Sequence, residues 1–326
     1  MQCFVNNTAA VGCTIGDVAC LCSKVSLLQD LLTPCIKASC PTVQQLKTQA
    51  FSMASCGIEP EDKGPFILGV SWTLFALASI AVMLRIAGRV LPQISTGPLG
   101  WDDGTISVTL IVMLVLQIFI MKGTDIALGK DIWILTPPII TEGLKLFYIA
   151  EFLFTLAASS TKVAVLCLYL RIFPNRDFRM PCYIMLVATV LYFLTFTITS
   201  AMICQPTSYY WHEWNSEEAS MGKCGNISAH IISSFVISAI MDLIVFIMPI
   251  PQFLKLQMSR KKRLGLCALF LTGLFVTICS IIRTVMYIQN YASWNGTKDF
   301  VWHILWTLVE LNLAIICACV PSLWSM

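Results

Sequence analysis

Hydrophobic positions are distributed very unevenly along this 326-residue chain. Up to about residue 60 they come in short runs broken by polar residues and prolines. Beyond it stand seven apolar stretches, each roughly 20 residues or longer, the length a helix needs to cross a bilayer. They run Phe66–Leu91, Asp103–Met121, Thr141–Leu170, Cys182–Cys204, Ala229–Phe253, Leu264–Tyr287 and Phe300–Val320. The third is the least apolar, with Glu142, Lys145, Glu151 and Lys162 inside it. Charge is costly in lipid, so this segment is expected at the buried centre of a bundle. In the first part, Val25–Leu32 and Thr42–Met53 have helical composition, with Pro34 and Pro41 as breaks. The polar stretch Gly57–Gly64 reads as a hinge. The pattern predicts an all-α chain in two parts, a small domain over 1–60 and a seven-helix transmembrane bundle over 64–324.

Composition sharpens this picture. The chain is 57% hydrophobic and 12% charged, about half the charged fraction of a soluble domain. The net charge is only +3, and no basic cluster is interleaved with aromatics, so no nucleic-acid partner is expected. No phosphate loop, zinc-protease helix or nucleophile elbow is present, and the three histidines give little scope for metal chemistry; no enzyme is predicted. Seven cysteines fall in the first 56 residues: Cys3, Cys13, Cys20, Cys22, Cys35, Cys40 and Cys56. That density belongs to a disulfide-stapled extracellular module, since a core this small rarely holds alone. Seven is odd, and Met1 leads directly into Gln2-Cys3. A signal peptide and an eighth cysteine are therefore expected upstream, and a cytoplasmic tail downstream.

Charge also orients the bundle. With the N-terminus outside, inner loops and helix ends hold ten basic residues: Arg85, Arg89, Arg171, Arg176, Arg179, Lys255 and the run Arg260–Arg263. The outer side holds four, Lys122, Lys130, Lys223 and Lys298, as the positive-inside rule requires. The three Asn-x-Ser/Thr acceptors, Asn6, Asn226 and Asn295, all fall outside in this arrangement. They are the candidate glycosylation sites of a multi-pass plasma-membrane protein with an extracellular N-terminus.

The run Gly12-Cys13-Thr14-Ile15-Gly16-Asp17-Val18-Ala19-Cys20-Leu21-Cys22, with the cysteine spacing around it, resembles the fungal CFEM domain over about residues 1–57. The resemblance implies a helical basket held by four disulfides. Carried over by order, the bridges here are Cys3–Cys35, Cys13–Cys20 and Cys22–Cys56, leaving Cys40 without its partner. In haem-binding members an aspartate at the position of Asp17 ligates the iron. A carboxylate favours ferric over ferrous iron, which makes haem a candidate cofactor. The plainer reading of Asp17 is a helix N-cap. Val18, Leu21, Val25, Leu28 and Leu32 would form either a haem face or ordinary core.

The bundle carries a second resemblance. Its motifs are Gly100-Trp101-Asp102-Asp103, Tyr169-Leu170-Arg171-Ile172-Phe173, Cys204-Gln205-Pro206 with Trp211, and Gly222-Lys223-Cys224-Gly225-Asn226. They continue through Asp242 with Pro249 and Pro251, Leu256-Gln257-Met258-Ser259, Phe270-x-x-Gly273, Ser280-Ile281-Ile282-Arg283, Trp306-x-x-x-Glu310 and Pro321. Over 66–324 this order is similar to the fungal seven-helix receptors often fused to CFEM domains, a G-protein-coupled-receptor-like class linked to surface sensing and infection structures. The domain's name refers to rhodopsin. Retinal needs a lysine mid-membrane in the last helix, however, and Phe300–Val320 contains none, so no retinal is expected.

Site chemistry follows from single residues. Cys204 and Cys224 bracket the second outer loop, and no cysteine lies near the outer end of the third segment; a Cys204–Cys224 bridge closing the loop is expected. Asp242, Arg283, Glu310 and Glu151 lie deep enough to need partners. Arg283 with Glu310 or with Asp242 would form either a bistable latch or a fixed ion pair. Arg171 ends the third segment as a coupling residue or a positive-inside anchor. Asp102 and Asp103 are expected to cap the second segment and to meet inner-leaflet arginines. The reading is a receptor embedded in lipid, taking an extracellular cue and signalling to a heterotrimeric G protein. The rivals are CFEM-mediated haem or iron acquisition with the bundle as anchor, and a seven-helix transporter, for which no internal repeat is evident.

Overall fold

The computed structural model describes residues 11–14, 16–91, 98–173, 175–215, 221–255, 260–291, 293 and 295–324. Cys3 and Asn6 lie outside the described residues, and with them the Cys3–Cys35 pairing; so do the side chains of Lys255 and of Arg260 to Arg263.

Among the described residues, the N-terminal module has three helices: α1 (Val18–Ser23), α2 (Val25–Ser39) and α3 (Thr42–Ser55). Asp17 caps α1, its Oδ1 accepting the Cys20 N–H at 3.0 Å. Disulfides Cys13–Cys20 and Cys22–Cys56 staple the module. Pro34 was expected to end a helix, but α2 runs through it to Ser39. A proline removes one backbone hydrogen bond, and here the turns on either side are held by packing. Leu28 and Leu32 are buried with Val11 and Cys13, and Ile36 packs against them.

Seven long helices follow: α4 (Gly64–Val90), α5 (Trp101–Ile126), α6 (Pro137–Ile172), α7 (Arg176–Met202), α8 (Ile227–Ile247), α10 (Arg260–Asn290) and α11 (Gly296–Trp324). The short α9 (Ile250–Lys255) follows α8 after a break at Pro249. All seven are long and apolar enough to span a membrane, and α6 is the most enclosed of them. Their outer faces expose Ile80, Leu84, Ile111, Ile184, Leu191, Ile240 and Leu271. A soluble protein would bury such stripes, whereas in lipid they are the solvated surface. The core between the helices is built from Ile67, Ala78, Ile106, Met113, Ala157, Ala158, Leu308, Leu311 and Ile315. The alanines let backbones approach closely, as packing within lipid favours.

Between α7 and α8 a two-stranded ladder, β1 (Cys204–Gln205) and β2 (Lys223–Cys224), sets Cys204 opposite Cys224, and the two are disulfide-bonded. The hinge between module and bundle is pinned from several sides. Asp131 is buried in the first outer loop; its Oδ2 accepts the Glu61 N–H at 2.8 Å and its Oδ1 accepts from Asn295 Nδ2 at 2.7 Å. Lys298, in the first turn of α11, reaches Glu61 at 2.9 Å and Asp131 at 3.3 Å, which holds the Glu61 carboxyl below its ordinary range. Gly129 lies beneath the hinge at φ +90°, and a Cβ there would stand 2.6 Å from Gly64 N. Only glycine meets both demands.

Candidate functional site

The pinned hinge sets the outer module over the mouth of the bundle. Leu46 of α3 packs into an apolar cluster with Ala127, Leu135, Ile140 and Trp214. Beneath it lies a cavity of about 1020 Å³, large enough for a sizeable small molecule. Its roof is α2 and α3, through Leu32, Ile36, Gln45, Leu46 and Gln49; its walls come from α5, α6, α8, α10 and α11. One wall is a continuous run of rings. Phe147 stacks on Phe300, Phe300 on Tyr287, Tyr287 meets Phe235 edge-on, and Phe235 meets Phe154, with centroids 5.2–6.1 Å apart. All five line the cavity, as do Glu151, Tyr210 and His303. Burial first, and the Glu151 carboxylate second, push the Tyr210 phenol up.

Behind the ring wall sits Arg283, 0% exposed. Its guanidinium carbon lies 4.6 Å from the Phe154 centroid and 4.5 Å from that of Phe235, a double cation–π contact. Its Nε is 2.8 Å from Glu310 Oε2, yet the two are misaligned for a hydrogen bond, and the guanidinium nitrogens have no hydrogen-bond acceptor. The guanidinium is therefore held by charge and by the two ring faces.

Further from the module, Lys162 of α6 meets Asp242 Oδ1 of α8 at 2.9 Å. Lys162 also donates to Ser238 Oγ at 3.1 Å, and Ser280 of α10 donates to Asp242 Oδ2 at 3.2 Å. Of the two partners expected for Arg283, the structure selects Glu310; Asp242 belongs to Lys162. The signal for that was present, because Lys162 was an unassigned cation in the same apolar layer.

At the end of the bundle away from the module the charges condense. Arg85, 1% exposed, binds both Asp102 and Asp103, the latter through Nε at 2.7 Å, and its Nη1 donates to the Ala318 carbonyl of α11. Arg171 of α6 reaches Asp102 at 2.9 Å and Asp103 at 3.4 Å, and donates to the Pro98 carbonyl at 2.6 Å. Asp103 Oδ2 also accepts the Gly100 N–H at 3.0 Å. Four helices, α4, α5, α6 and α11, are thus tied by two buried carboxylates. Arg171, read from the sequence as either a coupling residue or a positive-inside anchor, is committed to these carboxylates, because two enclosed aspartates need more positive charge than Arg85 supplies.

Two further sequence-derived sites look different in three dimensions. Asn295 is 4% exposed. It donates to Asp131 and accepts the Ile132 N–H at 3.0 Å, so it is a bracket for the outer loop and not an open glycan acceptor. Asn226 is exposed; its Oδ1 accepts the Ala229 N–H at 2.9 Å and caps α8. Asp17 gives one oxygen to its capping bond, Val18 lies on the surface, and Leu28 and Leu32 turn into the module core. The apolar set named for haem therefore does not assemble one face beside Asp17, and the described residues do not fit that group. Lys298 falls within α11, but at its outermost turn and in ion pairs, not where retinal would need it.

Residues 1–57 match the CFEM domain and residues 84–326 match the fungal rhodopsin domain. Among curated proteins, the chain is similar to a SAT4 family membrane protein of Emericella nidulans, 26% identical over 183 residues, which is 55% of this chain and 44% of that protein. It is also similar to satratoxin biosynthesis SC1 cluster protein 4 of Stachybotrys chartarum, 25% identical over 52% of this chain and 60% of that protein. A third relative is fugralins biosynthesis cluster protein 2 of Gibberella zeae, 22% identical over 50% of this chain and 41% of that protein. The chain spans about half the length of the curated relatives it matches. No solved structure matches it. A seven-helix bundle, a disulfide-stapled helical module in front of it and a family match over most of its length lead to one conclusion: the chain belongs to the fungal rhodopsin domain family of membrane proteins and carries a CFEM domain ahead of its bundle.

Proposed function

We propose that this protein is a receptor of the fungal plasma membrane, with the CFEM module outside, that binds a small molecule in the roofed cavity and signals through its inner face to a heterotrimeric G protein. The observation that carries this reading is the continuity between cavity and charge ladder. Phe154 and Phe235 face the ligand space and at the same time hold Arg283. A ligand that moves either ring changes the seat of a guanidinium whose ion pair with Glu310 lacks good hydrogen bonds. Glu310 lies within electrostatic reach of Lys162 and Asp242 as well, so a shift at the first pair is felt at the second. Repacking of these discrete arrangements is how a packed bundle amplifies a small displacement. The names of two relatives refer to satratoxin and fugralin biosynthesis clusters, which agrees with a small molecule as the cue.

On this reading the Arg171–Asp102–Asp103 cluster holds the resting state. The test is guanine-nucleotide exchange on a heterotrimeric G protein in membranes carrying the full chain. Arg171→Gln, which releases α6 from the two aspartates, is expected to raise basal exchange at matched protein level. Exchange no higher than in empty membranes, for both wild type and variant, would remove the G-protein reading and leave Arg171 as an anchor.

A further inference from the structure

We propose that the cavity takes an apolar molecule bearing a cationic amine, with Glu151 as its counter-ion and the ring wall as its bed. This rests on the receptor reading and names the class of its ligand.

The charge of the wall is the first reason. Glu151 and Glu213 line the cavity, and among the described residues no lysine or arginine lines it. Three neighbouring cations each face a group of their own. Arg283 faces Glu310 and Lys162 faces Asp242, while Lys145 lies over the Trp211 ring at 5.7 Å. An anionic ligand would meet carboxylates with no compensating cation on the wall, and at the low dielectric of a bundle interior that repulsion is strong.

The placement of Glu151 is the second. It lies 14 residues beyond Pro137, where α6 begins, so about 21 Å down the axis at 1.5 Å per residue. Its side chain is 11% exposed. Oε1 accepts a long bond from Ser200 Oγ at 3.4 Å. His230 is the titratable side chain behind it, but Nε2 sits 2.8 Å from Ser200 Oγ and 3.9 Å from Glu151 Oε1, too far for a charge-assisted hydrogen bond. The carboxylate therefore reaches the cavity with its own demand for a cation largely unmet.

The ring wall is the third. Phe147, Phe300, Tyr287, Phe235 and Phe154 present aromatic surface over the same stretch. Aromatic faces attract a desolvated ammonium and accept an apolar body equally well. A carboxylate beside such a wall selects a molecule with one charged nitrogen and a hydrophobic frame.

The test uses the full chain in lipid nanodiscs, with dodecylamine, dodecanol and dodecanoate titrated against the thermal unfolding midpoint of wild type and Glu151→Gln. Partition of each probe into the disc is common to both proteins, so the difference between them reports the cavity. Dodecylamine is expected to act at a concentration about tenfold or more lower on wild type than on Glu151→Gln, the factor a charged hydrogen bond is worth. Dodecanol should not distinguish the two. If Glu151→Gln is not recovered folded, Phe300→Leu replaces it, and should weaken the amine more than the alcohol. Identical amine curves in wild type and variant would overturn the proposal in favour of a neutral ligand, and stronger action by dodecanoate in favour of an anionic one. Silence of all three probes also overturns the amine assignment, while the exchange result with Arg171→Gln stands independently of it.

Discussion

Lys162 and Asp242 meet at 2.9 Å across the interface of α6 and α8, with Ser238 and Ser280 supplying further hydrogen bonds. This pair makes a four-charge ladder with Arg283 and Glu310; Lys162, Arg283 and Glu310 are buried, and Asp242 retains 12% side-chain exposure. Within lipid neither charge has water as an alternative partner, so each fixes the position of the other.

The coupling is measurable by a double-mutant cycle. Lys162→Met and Asp242→Leu are each expected to cost about 3–5 kcal/mol by leaving one buried charge unpaired, whereas the double variant should recover much of that loss. Thermal unfolding of the four proteins in the same nanodisc reads it. Additive losses would mean that the two side chains do not act as a pair.

Arg283 and Arg171 should behave differently although both are paired arginines. Arg283 is fully enclosed, whereas Arg171 retains 29% side-chain exposure. Arg283→Met leaves Glu310 alone in the core and is expected to lower folded surface protein by about 3–5 kcal/mol of stability. Arg171→Gln should cost less than Arg283→Met, because Arg85 stays bound to both aspartates. Flow cytometry of a surface epitope together with total protein gives both numbers. Equal losses would contradict the difference in burial.

Glycan occupancy separates the two sequons among the described residues. Asn226→Gln is expected to remove an endoglycosidase-sensitive mass shift. Asn295→Gln should leave that shift intact and lower the melting temperature, since it disturbs the bonds to Asp131 and Ile132. A mass shift lost with Asn295→Gln would show that its amide is open after all.

The hinge offers a backbone test. Gly129→Ala places a Cβ against Gly64 N in a conformation L-residues disfavour. Trypsin sensitivity of the link between outer module and bundle should rise, while the disulfides Cys13–Cys20 and Cys22–Cys56 stay formed in non-reducing peptide maps. Unchanged cleavage would mean that the module is held without the hinge.

Much of this protein could be read along the chain. Seven apolar stretches became α4 to α8, α10 and α11 because hydrophobic length is a local property that lipid selects directly. The Cys13–Cys20 and Cys22–Cys56 pairings followed from the CFEM resemblance, the Cys204–Cys224 bridge from the two cysteines that bracket one loop, and the enclosed position of α6 from its own charges. Pairing was not legible. Whether Arg283 turns to Glu310 or Asp242, whether Asn295 faces water or Asp131, and whether Arg171 is offered or held all depend on which helix faces meet. Those faces are set by packing between different helices and loops, across 69 residues of sequence for Arg171 and Asp102 and 164 for Asp131 and Asn295. The cavity belongs wholly to the tertiary structure. Its roof comes from α2 and α3 and its walls from five membrane helices, and nothing in a single segment marks the space they enclose.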